Sequence, residues 1–341
     1  MRTTQTFKNR KIGVLMGGLS AAREVSIQTG EAVYQTLVDR GYRATRIFVD
    51  RDVDLVLRQS GVEVAFLALS GRYGEDGCIQ GMLELMGIPY TGSGVTASAL
   101  AMNKVKAKEI LRLHNLPTPP YYVLQPAQME SLVSVHGSFG FPAVVKPCSL
   151  GSSVGVDIVR NHHELLNACE EAFLFDGTVM VERFINGMEI QVAILNNRAL
   201  GAIEVIPDAD FYSYKHKTSR GRCEVHLPAR LSEVRYRGVL TQALKAHQSL
   251  GCSGMTLVDM VLSDDGNEYI LELNSLPAFT PTSLAPKLAH GAGLEFGDLV
   301  EQILESAALK SRGEEVASVE DARAITLNEP EQATAGASGP N

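Results

Sequence analysis

Two acidic residues and an asparagine lie in apolar runs in the last third of the chain. Asp259 sits within Leu257–Val261, and Glu272 and Asn274 follow thirteen and fifteen residues later in the segment LELN. Because side chains two apart on a strand point to the same side, Glu272 and Asn274 share a face. Two carboxylates and an amide oxygen are hard ligands suited to Mg²⁺ that bridges nucleotide phosphates. Asp259 could instead be a salt-bridged residue at a strand end, and Asn274 could be a turn residue. Acidic side chains buried in apolar runs need a partner, however, and a metal ion supplies one.

A lysine followed by small residues lies in the middle of the chain, in the segment KPCSLGSSVG (146–155). Lys146 leaves a predicted strand and enters a loop whose backbone N–H groups and serine hydroxyls can surround a phosphate, while the lysine supplies a positive charge. A flexible hairpin loop without a ligand is the alternative. The density of small residues beside the lysine favours phosphate binding.

Two glutamates could serve the rest of a nucleotide. Glu182, in the segment VERFI, could accept a hydrogen bond from an adenine amino group, and Glu189 could bond ribose hydroxyls. Spacing alone favours the plainer interpretation that both are surface acids.

Near the N-terminus, the glycine turn 17–20 either brings backbone close to a ligand or is only a tight turn. Neither the G-x-G-x-x-G nor the G-x-x-x-x-G-K-[ST] phosphate pattern occurs in the chain.

The elements that position these residues alternate in the first third of the chain. The predicted strands are Ile12–Met16, Ala44–Val49 and Val64–Leu69, and helical patterns cover 21–40 and Glu75–Met86, with Gly87 as a left-handed cap. Such alternation predicts right-handed crossovers and a mostly parallel sheet, which binds ligands beyond the carboxyl ends of its strands.

The pattern changes after a helix predicted over Thr96–Leu113. Prolines at 117, 119 and 120 indicate a domain junction there. The β-rich runs that follow predict an α+β region built on antiparallel strands. They are Ala143–Lys146, Val156–Val159, Val179–Glu182, Glu189–Leu195, Leu200–Ile206 and Tyr269–Leu273, with helices near His163–Phe173, Glu233–Leu250 and Leu294–Leu309.

Composition argues against several function classes. The chain has 341 residues, 45% of them hydrophobic, which is enough for two or three domains. A net charge of −8 without a basic block argues against nucleic-acid and membrane partners, and no apolar run reaches the roughly 18 residues of a membrane helix. Five scattered cysteines predict reduced thiols in a cytoplasmic protein rather than a zinc site. The tail over 312–341 is poor in aromatics and is predicted to be disordered.

Taken together, the motifs resemble those of the D-alanine–D-alanine ligase family of the ATP-grasp superfamily. The matching segments, in the family's order and spacing, are GGLSAAREVS (17–26), GRYGEDGCIQGMLELMGIPYTGSGVTASALAMNK (71–104), VVKPCSLGSSVGV (144–156) and LELNSLPAFTPTSL (271–284). The resemblance covers about Lys11 to Ala308. It implies an ATP-grasp fold of α/β and α+β class, with a Rossmann-like parallel-sheet N-terminal domain (1–102), a central subdomain (103–187) and a C-terminal subdomain (188–311).

The resemblance also implies a reaction and a set of roles. A carboxylate is phosphorylated by ATP, and an amine then attacks the acyl phosphate. The positions that match ATP contacts are Lys104, Lys146, Gly151, Ser153, Glu182, Ile185 and Glu189. Those that match metal ligands, for two Mg²⁺ ions or Mn²⁺ in their place, are Asp259, Glu272 and Asn274. The catalytic positions are Ser152, in the loop over the phosphates, Lys217 and Ser283, near the second substrate's carboxylate, and Ala278, which offers an oxyanion-hole N–H. The implied partners are small carboxylate and amine substrates and a second copy of the chain, as a homodimer.

The match fails at one subsite, that of the carboxylate donor. Where the family has glutamate, histidine, tyrosine, arginine and an acidic loop residue, this chain has Ala22, Ser70, Thr218, Leu257 and Leu150, respectively, and Ala278 replaces a glycine. The changes remove charged and hydrogen-bonding groups, whereas the ATP and metal positions are kept. Each lost charge-assisted contact costs about 1.5–3 kcal/mol, so a charged amino acid would be poorly held there.

Three hypotheses follow for the function. We favour an active ligase with an altered carboxylate donor, one that is less polar or has no α-ammonium group. The second is a genuine D-alanine–D-alanine ligase of cell-wall synthesis that replaces the lost groups from elsewhere. The third is an ATP-binding regulator without activity, against which the kept metal set argues. The segment 208–222 is predicted to be a lid that excludes water from the acyl phosphate, and it could also rebuild the donor subsite.

Overall fold

The computed structural model describes residues 6–151, 154–206, 224–280 and 282–311. Several predicted features lie outside these residues: Ser152, Ser153, Lys217, Thr218, the lid at 208–222 and the tail at 312–341. The described residues form three sheets with helices packed between and around them. Among them, no helix is both long enough and apolar enough to cross a membrane.

The three sheets differ in strand direction. The N-terminal sheet, in the order β2–β1–β3, is parallel and consists of β1 (Lys11–Gly17), β2 (Arg43–Val49) and β3 (Val64–Leu67). The four-stranded sheet, in the order β4–β7–β5–β6, is antiparallel and consists of β4 (Tyr121–Leu124), β5 (Ala143–Pro147), β6 (Asp157–Val159) and β7 (Val179–Arg183). The five-stranded sheet, in the order β10–β9–β8–β11–β12, is also antiparallel and consists of β8 (Gly187–Leu195), β9 (Arg198–Ile206), β10 (Glu224–His226), β11 (Met255–Ser263) and β12 (Glu268–Asn274). The predicted change from a parallel to an antiparallel region is confirmed.

The helices of the described residues are α1 (Arg23–Asp39), α2 (Val53–Ser60), α3 (Cys78–Met86), α4 (Val95–Met102), α5 (Lys104–Leu113), α6 (Leu132–His136), α7 (His162–Phe173), α8 (Glu233–Ser249), α9 (Leu284–Gly291) and α10 (Phe296–Glu305), with a 3₁₀ turn at Pro126–Ser131. Gly87 ends α3 with a φ of 68°, which confirms the predicted left-handed cap. The sequence analysis missed α2, α6, α9, β4 and β10, which are too short for a clear period.

The prediction of one helix over Thr96–Leu113 is wrong, because the chain breaks it at Asn103. That residue is extended, with φ −85° and ψ 101°, and its side chain accepts a hydrogen bond from the backbone N–H of Lys106. Asparagine in this role caps a helix start, so α5 begins afresh. As a consequence, Lys104 occupies the first turn of a new helix.

The largest apolar cluster joins the N-terminal sheet to the five-stranded sheet. Met16 and Phe66 come from the first, Leu257 and Ile203 from the second, and Phe279 follows β12. Each of these side chains is buried to at least nine-tenths. The two sheets therefore share one core.

After α10 the chain returns to the N-terminal sheet. Ala308 forms an antiparallel bridge with Tyr90, which itself forms a parallel bridge with Ala65. The Glu84 carboxylate accepts hydrogen bonds from the backbone N–H of Lys310 at 2.7 Å and from the Tyr90 phenol at 2.8 Å. The final helix is consequently shorter than the predicted Leu294–Leu309, because Ala308 already belongs to this bridge.

Candidate active site

A cavity of about 350 Å³ lies between the four-stranded and five-stranded sheets. Lys146 and Glu182 line it from the first sheet, Glu189 and Asp259 from the second, and Ile185 from the connection between them. The volume falls in the range of about 300–1,000 Å³ that is typical of small-molecule sites.

The register of the five-stranded sheet brings the predicted metal ligands to one face. Asp259 on β11 lies opposite Glu272 on β12, and Leu257 lies opposite Asn274. Because Leu257 and Asp259 are two apart, both pairs project to the same side. Gln191 of β8 flanks Asp259 on its other side and lines the same cavity, and the sequence analysis missed it. The patch thus combines carboxylate and amide oxygens, and within the described ranges no group of three or more His, Cys, Asp or Glu side chains forms a further metal site.

Lys104 lies beside this patch and connects it to the loop after β5. Its Nζ is 3.0 Å from Oε2 of Glu272 and donates a hydrogen bond to the backbone oxygen of Leu150 at 2.6 Å. Its backbone N–H donates to the carbonyl of Cys148 at 2.9 Å. These contacts hold a nearly buried ammonium where the loop of small residues meets the acidic patch.

Gly151 and a further carboxylate complete this corner. A small pocket is lined by Gly151, Lys104, Asn274 and Glu75. Burial raises the pKa of Glu75 to about 7, and the Glu272 carboxylate adds to the rise. Glu75 therefore titrates near neutral pH beside the candidate metal set. The sequence analysis did not assign it a role.

Glu182 lies between two lysines. Its Oε1 is 2.5 Å from Nζ of Lys108, and its Oε2 forms a short ion pair with Lys146. Glu182 and Lys108 are each 1% exposed, so the interpretation of Glu182 as a surface acid is wrong. Burial works against the charged carboxylate, but Lys108 and Lys146 together hold the pKa of Glu182 below its usual value. Burial lowers the pKa of Lys108 to about 8, with Glu182 opposing that shift.

The sequence analysis missed Lys108. It lies four residues after Lys104 and therefore on the same face of α5. That spacing was the available signal. Diagonal pairing brings Lys146 beside Glu182, because β5 and β7 pair Val144 with Glu182 and Lys146 with Met180.

The candidate base and ribose contacts lie along the outer part of the cavity. Ile185 is half-buried in the connection after β7, and Glu189 is half-buried near the start of β8. Glu189 pairs in register with Val205 and Val261. The two valines therefore flank Glu189 on the sheet face that lines the cavity.

The N-terminal part of the predicted donor subsite is joined by hydrogen bonds. The backbone N–H of Ala22 donates to the Ser20 hydroxyl at 3.2 Å, and that hydroxyl donates to the carbonyl of Ser70 at 2.6 Å. Ala22 is the N-cap residue of α1 and offers no side-chain cap. The turn after β1 and the loop after β3 therefore meet at Ala22 and Ser70, neither of which carries a charge.

The other described donor positions are Leu257 on β11 and Leu150 in the loop after β5, whereas Ala278 and Ser283, predicted for the oxyanion hole and the second substrate, follow β12. Leu257 is buried in the core shared by the two sheets, next to Asn274. The backbone N–H of Phe279, which follows Ala278, donates to the Thr29 hydroxyl of α1 at 3.3 Å. Ser283 is the N-cap residue of α9, and its hydroxyl lies 2.6 Å from that of Thr280. Leu150 is half-buried, and its contact in this region is the carbonyl bond to Lys104.

Two family models match the chain. The model described as "D-ala D-ala ligase C-terminus" matches residues 110–305, and "D-ala D-ala ligase N-terminus" matches residues 52–93. The D-alanine–D-alanine ligase of Geotalea uraniireducens is 53% identical over 308 residues, which cover 90% of this chain and 99% of that protein. The D-alanine–D-alanine ligase of Geobacter sulfurreducens is 50% identical, covering 92% of this chain and 98% of that protein.

Solved structures agree with these relatives. The D-alanine–D-alanine ligase of Bacillus anthracis in complex with ATP superimposes with a TM-score of 0.76 at 35% identity, covering 87% of this chain and 97% of that one. The VanG D-Ala:D-Ser ligase of Enterococcus faecalis gives a TM-score of 0.76 at 28% identity, covering 87% and 98%.

Proposed function

Because the chain belongs to the D-alanine–D-alanine ligase family, and is therefore an ATP-grasp ligase that forms carbon–nitrogen bonds, we propose that it joins two molecules of D-alanine at the expense of ATP. The identity of 53% to a D-alanine–D-alanine ligase over nearly its whole length supports these substrates. The observation that carries the proposal is the single sheet face on which Asp259 and Glu272 lie opposite each other, with Lys104 at 3.0 Å from Glu272.

The proposed reaction has two steps. The carboxylate of the donor attacks the γ-phosphorus of ATP, which releases ADP and forms an acyl phosphate. The amine of the acceptor then attacks the acyl carbon, the phosphate leaves, and the nitrogen loses a proton. Positioning and charge neutralisation do most of the work in such transfers. Lys104 and Lys146 line the cavity and would bind the phosphates there, and the 350 Å³ cavity between the sheets would hold the nucleoside.

The oxygen ligands on β11 and β12 fit Mg²⁺. Asp259 and Glu272 supply anionic oxygens from adjoining strands, and Asn274 supplies a neutral one on the same face. Hard oxygen ligands of this kind are those Mg²⁺ takes alongside phosphate oxygens. The ion would neutralise phosphate charge when bound. Glu272 also orients Lys104, so one carboxylate would serve both cations.

A second candidate is the altered donor that the sequence analysis favoured. It has a specific observation in its support: Leu257, an apolar side chain, lies beside Asn274, and Ala22 stands uncharged at the turn that meets Ser70. The relatives, however, favour D-alanine as the donor. The order of the two hypotheses from the sequence alone is therefore reversed.

One experiment separates the two candidates. Purified protein is given ATP, Mg²⁺ and D-alanine alone, and both ADP release and D-alanyl-D-alanine are measured. Robust formation of the dipeptide supports D-alanine as donor; ADP release only when another carboxylate is added, with D-alanine as amine, supports the altered donor. No ADP release with any pair refutes the ligase function.

A paired substitution tests the mapping of the donor subsite. Ala22→Glu with Leu257→Arg should raise kcat/KM for D-alanine as donor, because each adds a charge-assisted contact worth about 1.5–3 kcal/mol. Ala22→Gln with Leu257→Met is the uncharged control of similar volume. Equal kcat/KM in the two double variants would mean that these positions do not face the donor.

A further inference from the structure

A buried carboxamide lies in the wall of the cavity between the four-stranded and five-stranded sheets. Gln191, on β8, is 7% exposed and lines this cavity. Its Oε1 accepts no hydrogen bond from any residue that the structure describes. A buried acceptor without a donor destabilises the fold, and such groups are uncommon in native proteins unless a ligand or an ordered water pairs with them. The position of Gln191 indicates that a ligand in the cavity supplies the donor.

The described neighbours of Gln191 do not supply that donor. In register, Gln191 lies between Asp259 of β11 and Ile203 of β9. Isoleucine has no polar atom in its side chain. An ionised carboxylate only accepts hydrogen bonds, so Asp259 can pair with Nε2 of the carboxamide but not with Oε1. Lys104 and Lys146, which also line the cavity, form ion pairs with other carboxylates.

The place of Gln191 in the cavity selects among the donors that a nucleotide carries. The triphosphate of ATP only accepts hydrogen bonds when it is ionised, so the donors are the adenine amino group and the two ribose hydroxyls. The adenine contacts predicted at Glu182 and Ile185 lie at the end of β7 and just after it. Gln191, in contrast, is two residues from Glu189, the predicted ribose contact, on the same face of β8, a separation of about 7 Å. This position favours the ribose hydroxyls.

The candidate metal set lies on the other side of Asp259. Asp259 pairs with Glu272 of β12, and β11 lies between β12 and the strand that carries Gln191. An ion held between Asp259 and Glu272 would therefore lie on the far side of β11 from Gln191. This arrangement favours a ribose hydroxyl over a metal-bound water as the donor to Oε1.

We propose that the carboxamide oxygen of Gln191 accepts a hydrogen bond from a ribose hydroxyl of ATP, and that this contact makes the protein prefer ATP to a deoxyribonucleotide. The inference rests on the proposed use of ATP and adds a residue to that site. A site that pairs a buried polar group with a substrate hydroxyl discriminates against an analogue without the hydroxyl, because the protein group is then left unpaired. A neutral hydrogen bond of this kind changes affinity by about 2- to 10-fold.

The affinities of three nucleotides test the proposal. The Kd values of ATP, 2′-deoxy-ATP and 3′-deoxy-ATP are measured by calorimetry in the absence of D-alanine. Gln191→Met keeps the length of the side chain and removes the acceptor. Gln242→Met, on α8 and outside the cavity wall, removes the same group elsewhere and is the matched control.

Gln191→Met should weaken the binding of ATP about 2- to 10-fold and leave that of one deoxy analogue unchanged. The preference for ATP over that analogue then falls by the same factor. Gln242→Met should keep the preference of the wild type. Equal preferences in Q191M and the wild type would overturn the proposal.

Two measurements test the same contact without relying on the stability of Q191M. The wild type should bind at least one deoxy analogue more weakly than ATP, and equal affinities for all three nucleotides would overturn the proposal. Gln191→Glu keeps an acceptor at this position and should keep the preference for ATP, whatever its effect on overall affinity. Loss of the preference in Q191E would also overturn the proposal.

Two controls separate the ribose contact from the metal and from the ligase function. The change of preference in Q191M should persist when Mg²⁺ is replaced by EDTA. A change seen only with Mg²⁺ would overturn the ribose contact in favour of a metal-bound water. Loss of the preference in Q191M, together with no amide product from any pair of substrates in the wild type, would uphold the role of Gln191 and refute the ligase function.

Discussion

Replacing Lys108 by methionine should weaken ATP binding while changing stability little. Lys108 and Lys146 share the buried carboxylate of Glu182, at 2.5 Å for Lys108. Without Lys108, Lys146 is the one remaining cation among the described residues that pairs with that carboxylate, so we expect its ammonium to be held away from the phosphates. A lost charge-assisted contact costs about 1.5–3 kcal/mol, which corresponds to a rise of roughly 10- to 100-fold in the KM for ATP.

The free energy of unfolding responds to two opposed effects in this variant. Burial lowers the pKa of Lys108 to about 8 from 10.5, so its charge costs the folded state about 3 kcal/mol, and methionine removes that cost. Leaving one partner of a buried ion pair behind costs about 3–5 kcal/mol. The two largely offset each other, so we expect a change within about 2 kcal/mol.

The assay is coupled ADP release over a range of ATP concentrations, with thermal unfolding measured in parallel. Lys106→Met is the control, because Lys106 forms an exposed pair with Glu109 on the same helix. Lys108→Arg should keep the KM near that of the wild type. In the wild type, the KM should rise above about pH 8 as Lys108 loses its proton, and K108R should not show that rise. A KM for ATP in K108M equal to that in K106M would refute this account of Glu182.

Three further outcomes are expected. Asn274→Ala should lower kcat by at least the roughly 10–100-fold that is lost when a residue that orients a metal ligand is removed, and it should raise the Mg²⁺ requirement. Activity equal to the wild type would remove Asn274 from the metal set. Burial lowers the pKa of His247 to about 4 from 6.5, so the unfolded state binds more protons between those values. Denaturant unfolding should therefore show full stability above pH 6.5 and a loss of about 3 kcal/mol as pH falls towards 4, a slope that His247→Gln should remove. Gly254→Ala should lower the thermal unfolding temperature more than Gly251→Ala does. Both glycines have a positive φ, but of the two only Gly254 would bring a Cβ against backbone, at 2.9 Å from the Cα of Gly92. Equal losses in the two variants would contradict this prediction.

The patch on β11 and β12 was predictable from the sequence because a strand has a fixed side-chain period. Asp259 and Glu272 each sit in an apolar run, and antiparallel pairing then brings them opposite each other. The environment of Glu182 was not predictable in this way. Its two cations come from α5 and β5, and only tertiary packing brings Lys108 and Lys146 to one carboxylate.

Two other structural features could be predicted from the sequence only in part. Apolar periodicity over Thr96–Leu113 predicted one helix, but Asn103 is also a good N-cap, and the cap prevailed. Leu257 was correctly placed in a strand, yet its burial in a core shared with the N-terminal sheet depends on how two distant sheets pack. Periodicity within one segment carries no information on such packing.

The bridge between Ala308 and Tyr90 has a consequence for the order in which the protein can be completed. A ribosome releases the N-terminal strands first, and nascent chains generally fold unit by unit from that end. Here, however, Tyr90 and Glu84 find their partners in Ala308 and Lys310, near the end of the described chain. The edge of the N-terminal sheet therefore stays unfinished until more than two hundred further residues have been made. The first third of the protein is the earliest to be synthesised, but its sheet is among the last parts of the fold to be completed.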